Sequence, residues 1–586
     1  MRRFVRLYEE VERTTRTSEK TAALRRYFEE VEPSDAAWAL SVLTGKRLTR
    51  AVPRGRLRKW ACEAAGIEEW LYRACYGAVG DQGETLALLL PSAGVMRERI
   101  GRSAEWGVGH AECGEESLTV VMEERVLPLG MLSEAGQRRL MEDTWATYDG
   151  LARFVFHKLI GGAFRFGAAK KVVINALAAA AGVEPAVMQH RMSGRFEPTA
   201  AAFEALVSGD GADDPARPYP FYLAYQLDDP PERFDEVLGG AGGAGGWQAE
   251  WKWDGIRAQV IRRESSANDK AAEATSPRTL VWTRGDELVT PAFPEIEAAA
   301  AGLPVGTVLD GEILAWDDQQ ARPMSFARLQ RRLNRKSAEL MLFPEVPVVF
   351  MAYDVLEHGG EDVRGWETSE RRFALEALLN GAGHNAAEAA SPQGGDGVIR
   401  LSPLIAFEGW DELSAKREES RERGVEGVML KRKDAVYQAG RKKGAWWKWK
   451  VDPYTVDCVM VYAQRGSGRR SSLFTDYTFA VWTGQHAGEG ELVPVTKAYS
   501  GLTDEEFAKV DRFIQKHTVG KKGSFRQVEP ELVFEIAFEG IQESDRHKSG
   551  IALRFPRMHR WRTDKQAGEA DTLGFLEQLL RASEGR

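Results

Sequence analysis

Lys252 is the residue best suited to covalent chemistry. It stands in Ala249-Glu250-Trp251-Lys252-Trp253-Asp254-Gly255-Ile256-Arg257, between two tryptophans and two residues before an aspartate. Apolar surroundings disfavour an ammonium and free the neutral amine, which is the nucleophilic form. Asp254 opposes that shift, so a bound Mg²⁺ or a nucleotide would have to tip the balance. The run reads as a single strand, in which side chains alternate and Lys252, Asp254 and Ile256 share one side. Taken alone, a Lys-x-Asp-Gly sequence is better explained by a surface Lys–Asp ion pair on a strand.

A lysine that attacks phosphorus needs cations or a metal to neutralise the equatorial oxygens. Mg²⁺ prefers oxygen ligands and keeps several waters, so two carboxylates suffice to hold it. A purine needs an aromatic face. Residues of these types follow Lys252 in order. They are Thr283-Arg284-Gly285-Asp286, Leu309-Asp310-Gly311-Glu312, Met351-Ala352-Tyr353-Asp354, Glu426-Gly427-Val428-Met429-Leu430-Lys431 and Trp447-Lys448-Trp449-Lys450. Near the end come Leu553-Arg554-Phe555-Pro556-Arg557 and Arg562-Thr563-Asp564-Lys565. Each has an ordinary alternative: Glu312 as an ion-pair partner, Tyr353 as strand core. Trp447 and Trp449 alternate with lysines and read as core-facing.

Three patterns of elements would have to position these residues. The first two hundred residues carry helical periodicity, as in 19–32 and 151–162, without the alternation of strands. A polar Gly/Asp/Pro stretch, 208–220, reads as a linker. Beyond it, apolar strands at 308–316, 346–356, 424–431 and 445–452 alternate with helical segments such as 324–342, an α+β pattern. The segments 239–246, 264–278 and 380–397 read as mobile insertions. From about Pro453, strands at 457–465, 476–483, 492–499 and 531–541 surround one helix, whose start carries a capping box at Thr503 and Glu506. A small barrel of the OB type is expected there. The multidomain reading is an all-α domain at 1–212, an α+β domain at 218–452 and a β-barrel at 453–586, with a hinge at Val451-Asp452-Pro453.

The chain has 586 residues and a formal charge of −8. That balance hides three basic windows, 151–195, 431–450 and 546–565, with surpluses of six, seven and six positive charges. A chain basic in three places and acidic elsewhere can surround a polyanion and stay soluble. The N-terminus has no apolar signal core and no run approaches the length of a membrane span, so a cytoplasmic protein is expected. The four cysteines lack metal-ligand spacing, which argues against a zinc site and fits a reducing compartment.

The ordered set beginning at Lys-Trp-Asp-Gly-Ile-Arg, 252–257, resembles the motif series of ATP-dependent DNA ligases, within the covalent nucleotidyltransferases. The resemblance spans roughly residues 150–565. It implies a helical DNA-binding domain, an adenylation domain and an OB-fold domain, with ATP and Mg²⁺ as cofactors. It implies that Lys252 forms the lysyl–AMP phosphoramide and that Glu250 sits by the adenine on which Tyr353 stacks. Arg257 and Arg284 would hold phosphate. Glu312 would engage the ribose or the metal, and Glu426 the metal. Lys448 and Lys450 would contact the α-phosphate. Arg562 and Lys565 would orient the pyrophosphate leaving group. Residues 159–173 resemble the segment by which the helical domain of larger DNA ligases grips the minor-groove backbone, which implies DNA contacts from Arg165, Lys170 and Lys171. The expected partner is nicked duplex DNA, bound by a monomer in the cytoplasm or nucleoid. An RNA ligase or RNA-capping enzyme is the nearest alternative. An NAD-dependent ligase would require a zinc module and a nicotinamide domain. A non-catalytic scaffold would need neither Lys252 nor the carboxylates.

Overall fold

The computed structural model describes residues 1–45, 52–100, 116–161, 164, 166–192, 196–209, 217–239, 242–264, 277–333, 346–381, 397–466, 473–499, 501–522 and 525–584. The chain divides into two compact units. One contains Met1–Met188, Phe196–Asp210 and Pro453–Arg586; the other contains Gln189–Arg195 and Gly211–Asp452.

The second unit is built on two sheets. Its principal strands are β1 (Tyr225–Gln226), β2 (Trp247–Trp251), β3 (Ile256–Arg263), β4 (Arg278–Thr283), β5 (Thr307–Asp317), β6 (Val348–His358), β7 (Ile399–Leu401), β8 (Leu404–Ile405), β9 (Gly427–Arg432) and β10 (Trp446–Lys450). One sheet runs β7-β6-β5-β3-β4 and the other β8-β2-β9-β10-β1. Both β5 and β6 are buried almost throughout, as strands covered on both faces must be. Ala258, Val260, Leu309, Ile313, Phe350 and Val355 join one core with Phe293, Ile296, Leu375 and Leu378, which lie on or beside covering helices. Trp247, Trp251, Trp316, Trp447 and Trp449 join a second core. The core-facing reading of Trp447 and Trp449 is therefore correct: they are 4% and 5% exposed. Of the expected helix at 324–342, Phe326–Leu333 is helical and 334–342 lies outside the described residues. Most of 264–278 and 380–397 also lies outside them. The 239–246 segment differs from the expectation. Gly243–Gly246 forms a 3₁₀ turn, and Lys433 anchors it through its backbone to Gly246 O and its ammonium to Gly245 O.

In the first unit the described residues from Met1 to Ser208 form helices and no strand. The C-terminal region is strand-rich. Its main strands are β11 (Tyr454–Arg465), β12 (Phe474–Trp482), β13 (Leu492–Ala498), β14 (Thr518–Lys522), β15 (Phe525–Val528), β16 (Val533–Phe538) and β17 (Arg557–Trp561), in the order β13-β12-β11-β15-β14, with β16 joining β11 to β17. β11 is shared: residues 454–459 pair with β16 and 462–464 with β15. Thr503 and Glu506 form the expected capping box on the helix Asp504–Lys516. A second helix, Leu573–Glu584, corrects the reading of a single helix; it sends Leu576 into the core of the strand-rich region.

Candidate active site

β2 and β9 are antiparallel neighbours, and their alternation sorts charge from core. Trp247, Ala249 and Trp251 enter the apolar core, while Gln248 and Glu250 take the opposite face. The ladder continues one residue beyond β2: Lys252 N donates to Gly427 O and Glu426 N to Lys252 O, both at 2.8 Å. The chain then leaves the sheet, and Ile256 opens β3 in the other sheet. The expectation of one strand carrying Lys252, Asp254 and Ile256 on a shared side is thus wrong. The physical reason lies at Gly255, where a Cβ would meet Ile313 O at 2.2 Å. Only glycine lets the crossing chain approach β5 so closely. Gly427, at φ 138°, plays the same part opposite, where a Cβ would meet Trp449 O at 2.3 Å.

These strands assemble a compact charged cluster. Lys252 Nζ lies 2.5 Å from Glu426 Oε2, and Lys450 Nζ lies 3.3 Å from the same oxygen. Burial, then the positive charges of Lys450, Lys252 and Arg441, pushes the Lys448 ammonium below its ordinary pKa. Burial also pushes the Glu312 carboxyl up to about 7, with Glu426 adding to the shift and Lys252, Arg257 and Arg284 opposing it. Arg284 is exposed on the turn after β4, its backbone N–H donating to Arg257 O.

Arg257 is differently placed from a phosphate ligand. It forms two bonds to Asp310, at 3.2 and 2.7 Å, and others to Tyr222 O and Tyr437 Oη. Burial opposes its charge, but Asp310 chiefly holds the guanidinium well above its usual pKa. In this arrangement it ties β3 to β5 behind the cluster. Tyr353 on β6 is half-buried, with Lys431 Nζ 4.6 Å and the Arg257 guanidinium 5.7 Å from its ring centre. Glu250 pairs with Lys431 at 2.7 Å, each 2% exposed. Asp310, Tyr437 and Lys431 are buried partners of these groups that the sequence reading left without a role. Asp310 and Lys431 stood inside the quoted motifs, but nothing in the sequence named their partners.

The C-terminal cations are engaged elsewhere. Arg562 reaches Asp457 on β11 at 2.7 Å and Asp564 at 2.8 Å, and Lys565 reaches the same Asp457 oxygen at 2.6 Å. The hydrogen bond from Arg562 lowers Asp564 to about 2. In the helical region Lys170 and Lys171 are exposed at the start of the helix Lys170–Ala181. Arg165 lies outside the described residues. Two other members of that basic window are engaged within the helical region, one buried and one half-buried. Arg153 is 1% exposed and donates to Tyr148 O, Pro91 O and Trp145 O, and Lys158 pairs with Asp81.

The sequence matches three family models: "DNA ligase N terminus" over residues 1–178, "ATP dependent DNA ligase domain" over 223–450 and "ATP dependent DNA ligase C terminal region" over 470–565. A probable DNA ligase of Koribacter versatilis is 30% identical over 98% of this chain and 95% of its own length. The chain belongs to the ATP-dependent DNA ligase family. A probable DNA ligase of Opitutus terrae is also 30% identical, over 99% of this chain; the chain spans 62% of that relative's length. A solved structure named Pmar-Lig_Pre shares the fold, with a TM-score of 0.52 at 13% identity, over 95% of this chain and 99% of its own. This ligase is an enzyme with a helical N-terminal region, an α/β nucleotidyltransferase region and a strand-rich C-terminal region. Among its described residues no helix is long and apolar enough to cross a membrane.

The ligase pocket fits ATP on two structural counts. Glu250 Oε2 is a buried acceptor with no hydrogen-bond partner among the described residues, which suits a base carrying an amino donor. Lys252, Lys448 and Lys450 converge on Glu426 and Glu312, so cations outnumber the carboxylates where phosphates would lie. Glu426 lies close enough to Glu312 to disfavour its charge, as two carboxylates fit to hold Mg²⁺ would be.

Proposed function

We propose that this ligase seals 5′-phosphate/3′-hydroxyl nicks in duplex DNA in three steps. The Lys252 amine attacks the α-phosphorus of ATP, a P–N bond forms, and the bond to pyrophosphate breaks. The 5′-phosphate of the nick then displaces Lys252 from AMP. Finally the 3′-hydroxyl displaces AMP and forms the phosphodiester. The observation that carries this reading is Lys252 held at the end of β2 with its ammonium on Glu426 and Lys450 beside it. Glu426 orients the Lys252 amine, whose proton passes to solvent before attack. Lys448, already below its ordinary pKa, and Lys450 face the charge that develops on the α-phosphate. Mg²⁺ held by Glu312 and Glu426 would neutralise triphosphate charge. Glu250 meets the adenine and Tyr353 offers it a ring. Arg284, exposed at the rim, meets the DNA 5′-phosphate, and Arg257 supports the pocket from behind through Asp310.

We further infer an OB-fold for 453–586, a DNA-binding role for 1–212 through Arg165, Lys170 and Lys171, and a monomer acting on chromosomal DNA in the cytoplasm. Arg562 and Lys565 serve the leaving pyrophosphate once they exchange Asp457 for it. The RNA alternative is not favoured, because the N-terminal match is to DNA ligases.

The test is nick sealing with ATP against NAD, joined to an assay for covalent label from α-labelled ATP. ATP should support sealing and NAD should not, and Lys252→Ala should form no adduct while still binding nicked DNA. Sealing with NAD alone, or an adduct on the Lys252→Ala variant, would overturn the assignment.

A further inference from the structure

Beside the reactive lysine lies a buried ion pair that the three-step chemistry does not use. Glu250 on β2 and Lys431 on β9 are diagonal neighbours in the ladder, where Glu250 faces Met429 and Lys431 faces Gln248. Lys431 Nζ lies 2.7 Å from Glu250 Oε1, and Gln248 Nε2 donates to that same oxygen at 3.2 Å. Lys431 also donates to Tyr353 O at 3.1 Å and sits 4.7 Å from the Trp446 ring centre. Its position is fixed from several sides.

The two oxygens of Glu250 are treated unequally. Oε1 receives two donors. Oε2 is also buried and, among the described residues, receives none. A buried carboxylate oxygen without a donor is costly, and such an atom persists where a ligand supplies the missing hydrogen. A 6-aminopurine offers an N–H there. A 6-oxopurine offers a carbonyl, so two acceptors would face each other.

The discrimination depends on Oε2 being held in place as an acceptor. Lys431 supplies the compensating charge and occupies Oε1, which leaves Oε2 to face the base. Without that cation the carboxylate loses the partner that holds Oε1, and Oε2 is no longer fixed as the acceptor that favours a 6-amino over a 6-oxo group.

We infer that Lys431 is a positioning residue for base selection: its pairing with Glu250 makes the pocket accept 6-aminopurine nucleotides and reject 6-oxopurine nucleotides. This rests on the reading of Lys252 as an adenylated nucleophile with Glu250 by the base.

The experiment measures self-nucleotidylation of the full chain with ATP and with inosine triphosphate, which differ chiefly in the amino or oxo group at C6. The wild-type chain should favour ATP by about 100-fold or more, as expected where a site is built to bond a substrate N–H. Lys431→Met should raise KM for ATP and bring the two nucleotides within about tenfold of each other. Lys431→Arg, which can keep the ion pair, should retain the preference. If Lys431→Met does not fold, Lys431→Gln removes the charge while keeping a donor, and should narrow the ratio in the same direction. A merely structural role would lower both rates equally, and an unchanged ratio in the folded Met or Gln variant would overturn the inference. So would a wild-type chain that uses both nucleotides equally. Failure of the wild-type chain to form an adduct with ATP would instead overturn the ligase reading on which it rests.

Discussion

Two basic clusters of this ligase are wired in opposite ways. In the pocket, Lys252 and Lys450 share one oxygen of Glu426, and Lys448 is pushed below its ordinary pKa by burial and by the other cations. In the C-terminal region, Arg562 and Lys565 meet Asp457, with Asp564 and Glu535 also on Arg562. Cations exceed carboxylates in the first cluster, whereas in the second both Arg562 and Lys565 are directly matched by a carboxylate. A positive window in a sequence therefore reports the number of charges, while the fold decides whether they are available to a phosphate. The pocket is prepared for an anion as it stands. In the proposed reaction the C-terminal pair would exchange Asp457 for one.

The largest effect that separates the clusters is expected from Arg562→Ala. Self-adenylation should fall by roughly 10²–10³-fold, the usual loss when one preorganised donor to a developing charge is removed. Sealing of a nick already carrying AMP should fall far less, because pyrophosphate has left by then. The check is single-turnover kinetics of the two half-reactions. Equal losses in both would erase the proposed difference, and Arg562 would join the pocket cations as a general phosphate contact.

The third basic window, 151–195, sharpens the comparison because part of it is not surface charge at all. His157 is buried, accepts a bond from Trp145 Nε1 at 2.9 Å and is pushed down to about 4, chiefly by burial. Its other ring nitrogen faces Gly83 O at 3.2 Å. The folded state therefore disfavours the imidazolium relative to the unfolded chain, whose histidine titrates near ~6.5. The resulting stability is fully present above that value and is lost as pH falls towards 4. The loss between pH 7 and 4.5 should be about 2–3 kcal/mol. Amide exchange in the helix Gly150–Ile160, corrected for intrinsic rates, should show protection dropping over that range, and His157→Gln should flatten the drop. An equal decline in the variant would detach the acid sensitivity from His157.

The same contrast marks what could be read from sequence. Lys252, Glu426, Lys448 and Lys450 could be named because they stand in motifs that resemble the ligase series, and β2, β9 and β10 bring them together. The division into helical, mixed and strand-rich regions was legible from periodicity. Partners were not. Asp310 lies more than fifty residues from Arg257, and their pairing depends on β3 lying beside β5. Arg562 and Asp457 are further apart still, joined because β16 bridges β11 and β17. The break after Lys252 was hidden for a similar reason: Gly255 is required by the carbonyl of Ile313, which has no trace in the local sequence. Arg153 counts towards the basic window 151–195 until the carbonyls around it are known.

The smallest effect concerns the cations of that window that do face solvent. Lys170 and Lys171 begin the helix Lys170–Ala181, where the helix dipole disfavours positive charge. A backbone phosphate at that point would offset the conflict, which is the physical argument for DNA contact there. Replacing both by glutamate should weaken nicked-DNA binding about tenfold at moderate salt and reduce the slope of log affinity against log salt by about 2. The fold provides an internal control of opposite sign, because negative charge in a first helical turn stabilises by roughly 0.3–1 kcal/mol per residue. Weaker binding together with unchanged or raised thermal stability would assign the loss to phosphate contacts. An unchanged salt slope would place these lysines with Arg153 and Lys158, as charges that the helical region does not present to DNA.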